Sequence, residues 1–335
     1  MIVTRSGFGA LPIQRRSFAD AGAILQRAYD AGITFFDTAR AYSDSEEKIG
    51  SVFSPAMRQR VFIATKTMAK NAEDFWRDLQ ESLHKLKTDY VDLYQFHNPP
   101  FMPKPGGEDG LYDAMLQARQ EGKVRHIGIT NHRMQVAREA AESGLYETLQ
   151  YPFSLLCQQP DLELLDLCEK NDLGFIAMKG LSGGLLSNAA PAFAFIRQYP
   201  RVVPIWGIQR LEELEEFISF EKNPPVMDDA MKAQIQKARE ELSGDFCRGC
   251  GYCLPCPAGI EINMAARIYP FITRSPYQAY ITESYQARMA KVKDCIHCGA
   301  CKSRCPYGLD TPELVRTQYA LYLEFVKEHA AEVTP

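Results

Sequence analysis

The sequence has no apolar run of about 18 residues, so no membrane-spanning helix is expected. Positive charge is not in excess. The 38 Lys and Arg residues are spread along the chain against 42 Asp and Glu, which removes the electrostatic basis for a nucleic-acid partner. In the opening stretch MIVTRSGFGALPIQRR, Arg5 interrupts what a secretory leader would need as its apolar segment, and the expected compartment is the cytoplasm. No G-x-G-x-x-G follows an early strand, which counts against a doubly wound dinucleotide fold. The C-x3-C-x2-C spacing of radical chemistry is missing, and so is any flavin signature. Disorder is excluded by composition, because 46% hydrophobic and 24% charged residues can build a sizeable core.

Through about the first 220 residues, short β-branched or aromatic runs alternate with stretches of helical period. Strands are expected at 7–12, 33–37, 61–65, 91–96, 125–130, 147–150, 173–178 and 202–206. The helical stretches between them are 17–31, 44–53, 73–86, 111–121, 133–142, 160–171, 190–198 and 210–219. Ser17, Ser43 and Asn131 stand at or near helix starts, and Gly32, Gly122, Gly144 and Gly174 follow helices where a left-handed cap is usual. This pattern predicts an α/β protein, a closed (β/α)8 barrel. The Pro-rich segment EKNPPVMDD then separates a barrel over 1–225 from a small, mainly helical domain over 226–335. Two loops after strands, 98–110 and 180–191, lie on the side where barrels build substrate sites, as surface connections or lids.

Four residues at or just beyond consecutive strand ends carry the catalytic case. ITFFDTARAY gives Asp37 and Tyr42, VFIATKT gives Lys66, and DYVDLYQFH gives His97. Singly, each is more often structural or solvated; four at equivalent positions in successive units would converge on one spot. In order and spacing, DTAxxY, TK and DLYxxH resemble the aldo-keto reductase superfamily over roughly residues 5–220. The resemblance implies a carbonyl-reducing site with Tyr42 as general acid. Lys66 would make its phenol more acidic, Asp37 would hold Lys66, and His97 would orient the substrate carbonyl. It also implies a nicotinamide cofactor, NADPH with NADH as the alternative. Thr130, Asn131 and Gln150 would lie near the nicotinamide amide, and Gln209 and Arg210 near the adenosine phosphate. Met178 stands where the family often carries a stacking aromatic residue.

Ten cysteines in such a chain read as ligands in preference to disulfides. CRGCGYCLPCP supplies Cys247, Cys250, Cys253 and Cys256; CIHCGACKSRCP supplies Cys295, Cys298, Cys301 and Cys305. Three cysteines at C-x2 steps and a fourth before proline suit the corners of a cubane, whereas two Zn(Cys)4 sites would not need the third step. The pair of motifs resembles dicluster ferredoxins, which implies two [4Fe-4S] clusters with exchanged fourth ligands. One would take Cys247, Cys250, Cys253 and Cys305, the other Cys295, Cys298, Cys301 and Cys256. Cys157 and Cys168 read as core cysteines. A last helix over about 311–329, capped by Thr311, carries an apolar stripe of Leu314, Tyr319, Leu321, Tyr322 and Phe325.

The reading is an oxidoreductase acting on a small carbonyl compound, with the clusters exchanging electrons with a ferredoxin-like protein partner. Two alternatives are structural clusters beside an active barrel and an electron-transfer or redox-sensing protein on an inactive one. Nicotinamide moves two electrons as hydride and each cluster moves one, so direct exchange between them would need a converter that the sequence does not offer.

Overall fold

Eight parallel strands close a barrel in chain order, with β1 paired to both β2 and β8. They are β1 Gly7–Gly9, β2 Phe35–Asp37, β3 Phe62–Thr67, β4 Val91–His97, β5 Val124–Thr130, β6 Thr148–Pro152, β7 Gly174–Met178 and β8 Val202–Gly207. The computed structural model describes residues 2–242, 246–274 and 277–333. Between the strands run α1 Phe18–Asp30, α2 Ser45–Val52, α3 Pro55–Arg58, α4 Ala72–Leu86, α5 Leu111–Gln120, α6 Met134–Ser143, α7 Gln159–Lys170 and α8 Ala189–Arg197, with α9 Leu211–Lys222 after β8. All eight expected strands and helices are present; the four-residue α3, begun by Ser54 and Pro55, is an addition.

Local chemistry sets the ends of these elements. Ser17 caps α1 by accepting from the Asp20 amide at 3.1 Å. Gly32, Gly122 and Gly144 take left-handed conformations after their helices as expected. Gly174 does not: it is the first residue of β7, and Asp172, at φ 52°, makes the left-handed turn two residues earlier. Asp tolerates this region because its short polar side chain can bond locally. Ser43 is likewise no cap, since α2 starts after Asp44. Gly50 marks the close approach of α2 to α4, where a Cβ would stand 2.2 Å from the Lys85 carbonyl oxygen.

Side chains alternate along each strand, and this period places the site. Phe35, Ala64, Leu93, Ile176, Met178 and Ile205 pack together inside the barrel. Two residues further toward the strand ends, the same inward face carries Asp37, Lys66 and Gln95, and four residues past Leu93 comes His97.

The chain divides into two compact units, residues 1–180 with 193–227, and residues 181–192 with 228–335. The second contains α10 Asp229–Glu241, α11 Ile262–Ala265, α12 Ile268–Ile272, α13 Glu283–Ala290, α14 Ala300–Ser303 and α15 Thr311–Glu328. Its core is Ile262, Ile268, Ile272, Met289, Tyr319 and Tyr322 with their neighbours, and the Tyr322 hydroxyl donates to the Tyr280 carbonyl at 2.8 Å. The stripe of α15 packs into this core, with Val315 buried beside Tyr319 and Tyr322. Its cap is Asp310, whose carboxylate accepts from the Glu313 amide, and Thr311 is the first helical residue. Among the described residues no helix is long and apolar enough to cross a membrane.

Candidate functional site

The inward face of β2, β3 and β4 brings three of the four candidate catalytic residues together. The Lys66 ammonium donates to Asp37 Oδ1 and to the Thr38 carbonyl, both at 2.6 Å, and Lys66 and Asp37 are almost wholly buried. Tyr42, in the loop after β2, is held at its backbone by a 2.9 Å bond from its amide to the Ala39 carbonyl. Lys66 Nζ lies over the Tyr42 ring, 5.2 Å from its centroid, and the rings of Tyr42 and His97 meet edge to face at 5.8 Å. All four candidates thus stand at one end of the barrel.

Their electrostatics follow from burial. Loss of water pushes the Asp37 carboxyl up and the Lys66 ammonium down, and each is opposed by the partner's charge. His97 is pushed down to about 3 by burial and then by the nearby Lys66 charge, so its imidazole is neutral at physiological pH. Its Nδ1 is a buried atom with no hydrogen-bond partner among the described residues. A neutral ring beside a cation can still hydrogen-bond a carbonyl oxygen without adding a second charge.

Sequence reasoning missed Gln95 and Glu46. Gln95 is fully buried and donates through Nε2 to Asp37 Oδ2 at 3.3 Å and to Gln150 Oε1 at 3.0 Å. Its signal was a lone amide in phase with Leu93 and His97 on the inward face of the strand. Glu46, on α2, accepts from the Thr65 hydroxyl at 2.5 Å, and its charge helps keep Lys66 protonated. Burial pushes the Glu46 carboxyl up.

The candidate nicotinamide contacts share the same rim. Thr130 is registered beside both His97 and Gln150, and its hydroxyl lies 3.9 Å from Met178 Sδ. Asn131 donates to the Pro99 carbonyl at 2.8 Å and accepts from the Arg133 amide at 2.9 Å. Amides next to a polarisable thioether fit a ring that carries a carboxamide. Gln209 and Arg210 start α9, where Glu213 already accepts from both their amides at 2.9 and 3.2 Å and from Arg210 Nε at 2.9 Å.

In the second unit the cysteines gather by motif. Cys253 is within electrostatic reach of Cys247, Cys250 and Cys301, and Cys301 of Cys295 and Cys298. A cavity of about 280 Å³ is lined by Cys253, Cys256, Cys295, Cys298 and Cys301, with Ile260 and Val315 among its walls. Cys305 packs on the same core, and Arg304 beside it donates to the Pro255 carbonyl at 3.1 Å, next to Cys256. The Gly249 amide points at Cys247 Sγ at 3.4 Å, an N–H···S contact of the kind that supports a metal-bound thiolate. Among the described residues no three His, Cys, Asp or Glu side chains converge as ligands of a single ion. Thiolates on one zinc would stand only about 3.8 Å apart, as tetrahedral bonds of about 2.3 Å require, whereas a cubane holds its thiolates at separate corners. The five cysteines that line the cavity suit a cluster better than a single zinc ion. Cys168 is a core cysteine, its thiol pushed up to about 12 by burial, whereas Cys157 is only half-buried.

Comparison with known proteins finds relatives for the barrel and a family model for the cysteine-rich region. The chain is 30% identical over 259 residues to an aldo-keto reductase of Strobilurus tenacellus, a match covering 71% of this chain and 76% of that protein. It is 30% identical over 178 residues to aldo-keto reductase YhdN of Bacillus subtilis, covering 49% of this chain and 53% of that one. The chain spans between 53% and 59% of the length of the first curated relatives it matches. A solved aldo-keto reductase from Klebsiella pneumoniae in complex with NADPH superposes with a TM-score of 0.59 at 23% identity, over 70% of this chain and 90% of that one. The family model described as "4Fe-4S dicluster domain" matches residues 246–310. The model described as "Aldo/keto reductase family" matches residues 6–192, more than half of the chain, and the chain belongs to that family.

Proposed function

We propose that the barrel reduces an aldehyde or ketone with a nicotinamide, NADPH in preference to NADH, using Asp37, Tyr42, Lys66 and His97. The observation that carries this reading is the cation over the phenol: Lys66 Nζ 5.2 Å from the Tyr42 ring centroid and bonded to Asp37 at 2.6 Å. A phenol with an ordinary pKa near 10 gives up a proton reluctantly at neutral pH, and a buried ammonium beside it favours the phenolate. The Tyr42 hydroxyl delivers its proton to the carbonyl oxygen, Asp37 keeps Lys66 in place, and neutral His97 aligns that oxygen. Bound nicotinamide supplies the hydride for the carbonyl carbon. Thr130, Asn131, Gln150 and Met178 hold its ring end. Gln209 and Arg210 are placed for the adenosine phosphate, which must compete with Glu213 for Arg210.

In the tail, the eight cysteines hold two [4Fe-4S] clusters that exchange single electrons with a protein carrier. The cavity holding Cys295, Cys298 and Cys301 opens beside exposed Cys298 and Ile296, and the charged residues that line it, Lys293 and Arg316, are both cationic. Arg316 is paired with Glu313 at 2.6 Å, so Lys293 is the cation through which that face would meet an acidic one-electron partner.

The test of the catalytic reading is NADPH oxidation by the cluster-loaded protein with an activated aromatic aldehyde. Tyr42→Phe removes one hydroxyl, and general acid catalysis supplies about 10² to 10⁴ in rate, so kcat should fall by that factor with the nicotinamide affinity kept. Undiminished turnover in Tyr42→Phe would sink the assignment.

A further inference from the structure

Gln95 joins two parts of the barrel that the proposed mechanism treats separately. It sits on β4 between Leu93 and His97, is registered against Lys66, and is fully buried. One amide group, Nε2, reaches both Asp37 Oδ2 at 3.3 Å and Gln150 Oε1 at 3.0 Å, one hydrogen for each. The reverse orientation would set the amide oxygen against a carboxylate and a second amide oxygen, so Asp37 and Gln150 together fix which way the group points. In this orientation Gln95 Oε1 is buried without a partner. An unsatisfied buried acceptor is destabilising, and a well-packed apolar residue would avoid that cost. Gly128 of the adjacent strand makes room for it: a Cβ there would lie 3.0 Å from Gln95 Cγ and 2.4 Å from Thr148 Oγ1.

We propose that Gln95 is a positioning residue that ties the Asp37–Lys66–Tyr42 chain to Gln150 at the nicotinamide side of the barrel. The inference rests on the catalytic reading above. Gln95 supplies one of the hydrogen bonds that favour ionised Asp37, and Gln150 supplies another. Without that bond Asp37 takes a proton more readily, and a neutral Asp37 no longer holds Lys66 charged. The other charged group acting on Lys66 is Glu46; Tyr42 faces Lys66 and His97, and His97 is neutral. Tyr42 then loses the cation that makes it acidic. Gln150 loses the donor that holds its oxygen, so its amide is no longer aimed.

The experiment compares the cluster-loaded wild type with Gln95→Leu, and with Gln95→Met as a second apolar variant should Leu fail to fold. The Tyr42 titration is read as the tyrosinate absorbance difference between each protein and its own Tyr42→Phe counterpart. The expected result is an upward shift of about one unit in the Tyr42 midpoint, a tenfold change in proton affinity. NADPH affinity, measured by fluorescence without substrate, should weaken by about threefold or more, the loss of one modest hydrogen bond. An unmoved Tyr42 midpoint overturns the tie to the acid, and an unmoved NADPH affinity overturns the tie to Gln150. Failure of the catalytic reading appears elsewhere, as turnover that survives Tyr42→Phe, and leaves the titration comparison intact.

Discussion

Replacing Lys66 with Met tests the buried pair on which the site is built. The ammonium is fully buried and makes two bonds of 2.6 Å, to Asp37 and to the Thr38 carbonyl. Met fills much of the volume and offers no charge, so Asp37 is left ionised in the core with only its amide donors. Breaking a buried pair in this way costs about 3–5 kcal/mol. For a unit of this size each kcal/mol lowers Tm by about 2–4 °C, so a fall of about 6–20 °C is expected at neutral pH. The loss should depend on pH. Burial already raises Asp37 above its unfolded value, and loss of the cation raises it further. The folded variant therefore binds a proton that the unfolded chain releases. Its stability falls as pH rises from the unfolded carboxyl value through the raised folded one, then levels off. The deficit against wild type is greatest at neutral and alkaline pH and shrinks in acid. Asp37→Asn added to Lys66→Met removes the stranded charge and should recover most of the loss. Calorimetry across pH would follow both. A deficit that stays constant from acid to alkaline pH, or a double variant no better than the single, would refute the reasoning.

Four further outcomes are expected. His97 is held near 3 when folded, against about 6.5 unfolded, so the unfolded chain binds more protons between those values; stability should fall as pH drops through that window, and His97→Gln should flatten the fall in a Tm-against-pH series. Two cubanes require about eight irons and eight acid-labile sulfides per chain, and Cys256→Ser should damage the cluster of the second motif; stoichiometric zinc without sulfide would refute this. Arg210→Ala should weaken NADPH by about 1.5–3 kcal/mol while sparing NADH, and Glu213→Gln should tighten NADPH alone, as titrations of both cofactors would reveal. Gly50→Ala puts a Cβ 2.2 Å from the Lys85 carbonyl and should cost about 1–3 kcal/mol by thermal unfolding, with no change in cluster content.

The barrel was legible because each strand is an apolar run of its own, bounded by helices with their own period. A closed parallel barrel needs nothing more from local sequence. The misplaced ends have a common cause. Asp172 makes the left-handed turn expected of Gly174, and Asp310 makes the cap expected of Thr311; Asp serves both positions, so residue type alone did not separate the candidates. The spacing of the cysteine motifs and their resemblance to dicluster ferredoxins pointed to the 4Fe-4S dicluster domain that the family model matches. That Cys253 and Cys256 face the same cavity as Cys295, Cys298 and Cys301 depends on how α15 and the intervening helices fold back, which spacing does not contain.

The proposed catalytic residues and their supports were legible to different degrees for a physical reason. Asp37, Lys66 and His97 end strands, where a polar side chain is conspicuous against the apolar residues before it. Gln95 lies level with Lys66 and two residues before the strand end at His97, where a single amide in YVDLYQFH carries no motif of its own. Its meaning appears only when three strands place Asp37, Lys66 and Gln150 around it. The start of α9 poses the reverse problem. Arg210 followed three residues later by Glu213 carries the local pattern of a carboxylate capping a helix start, and the structure uses it that way. A phosphate at this helix start would meet donors already turned toward Glu213, and binding it requires that carboxylate to yield. On the proposed assignment of Arg210, the preference between NADPH and NADH would turn on the strength of the Glu213–Arg210 contact as much as on the presence of an arginine.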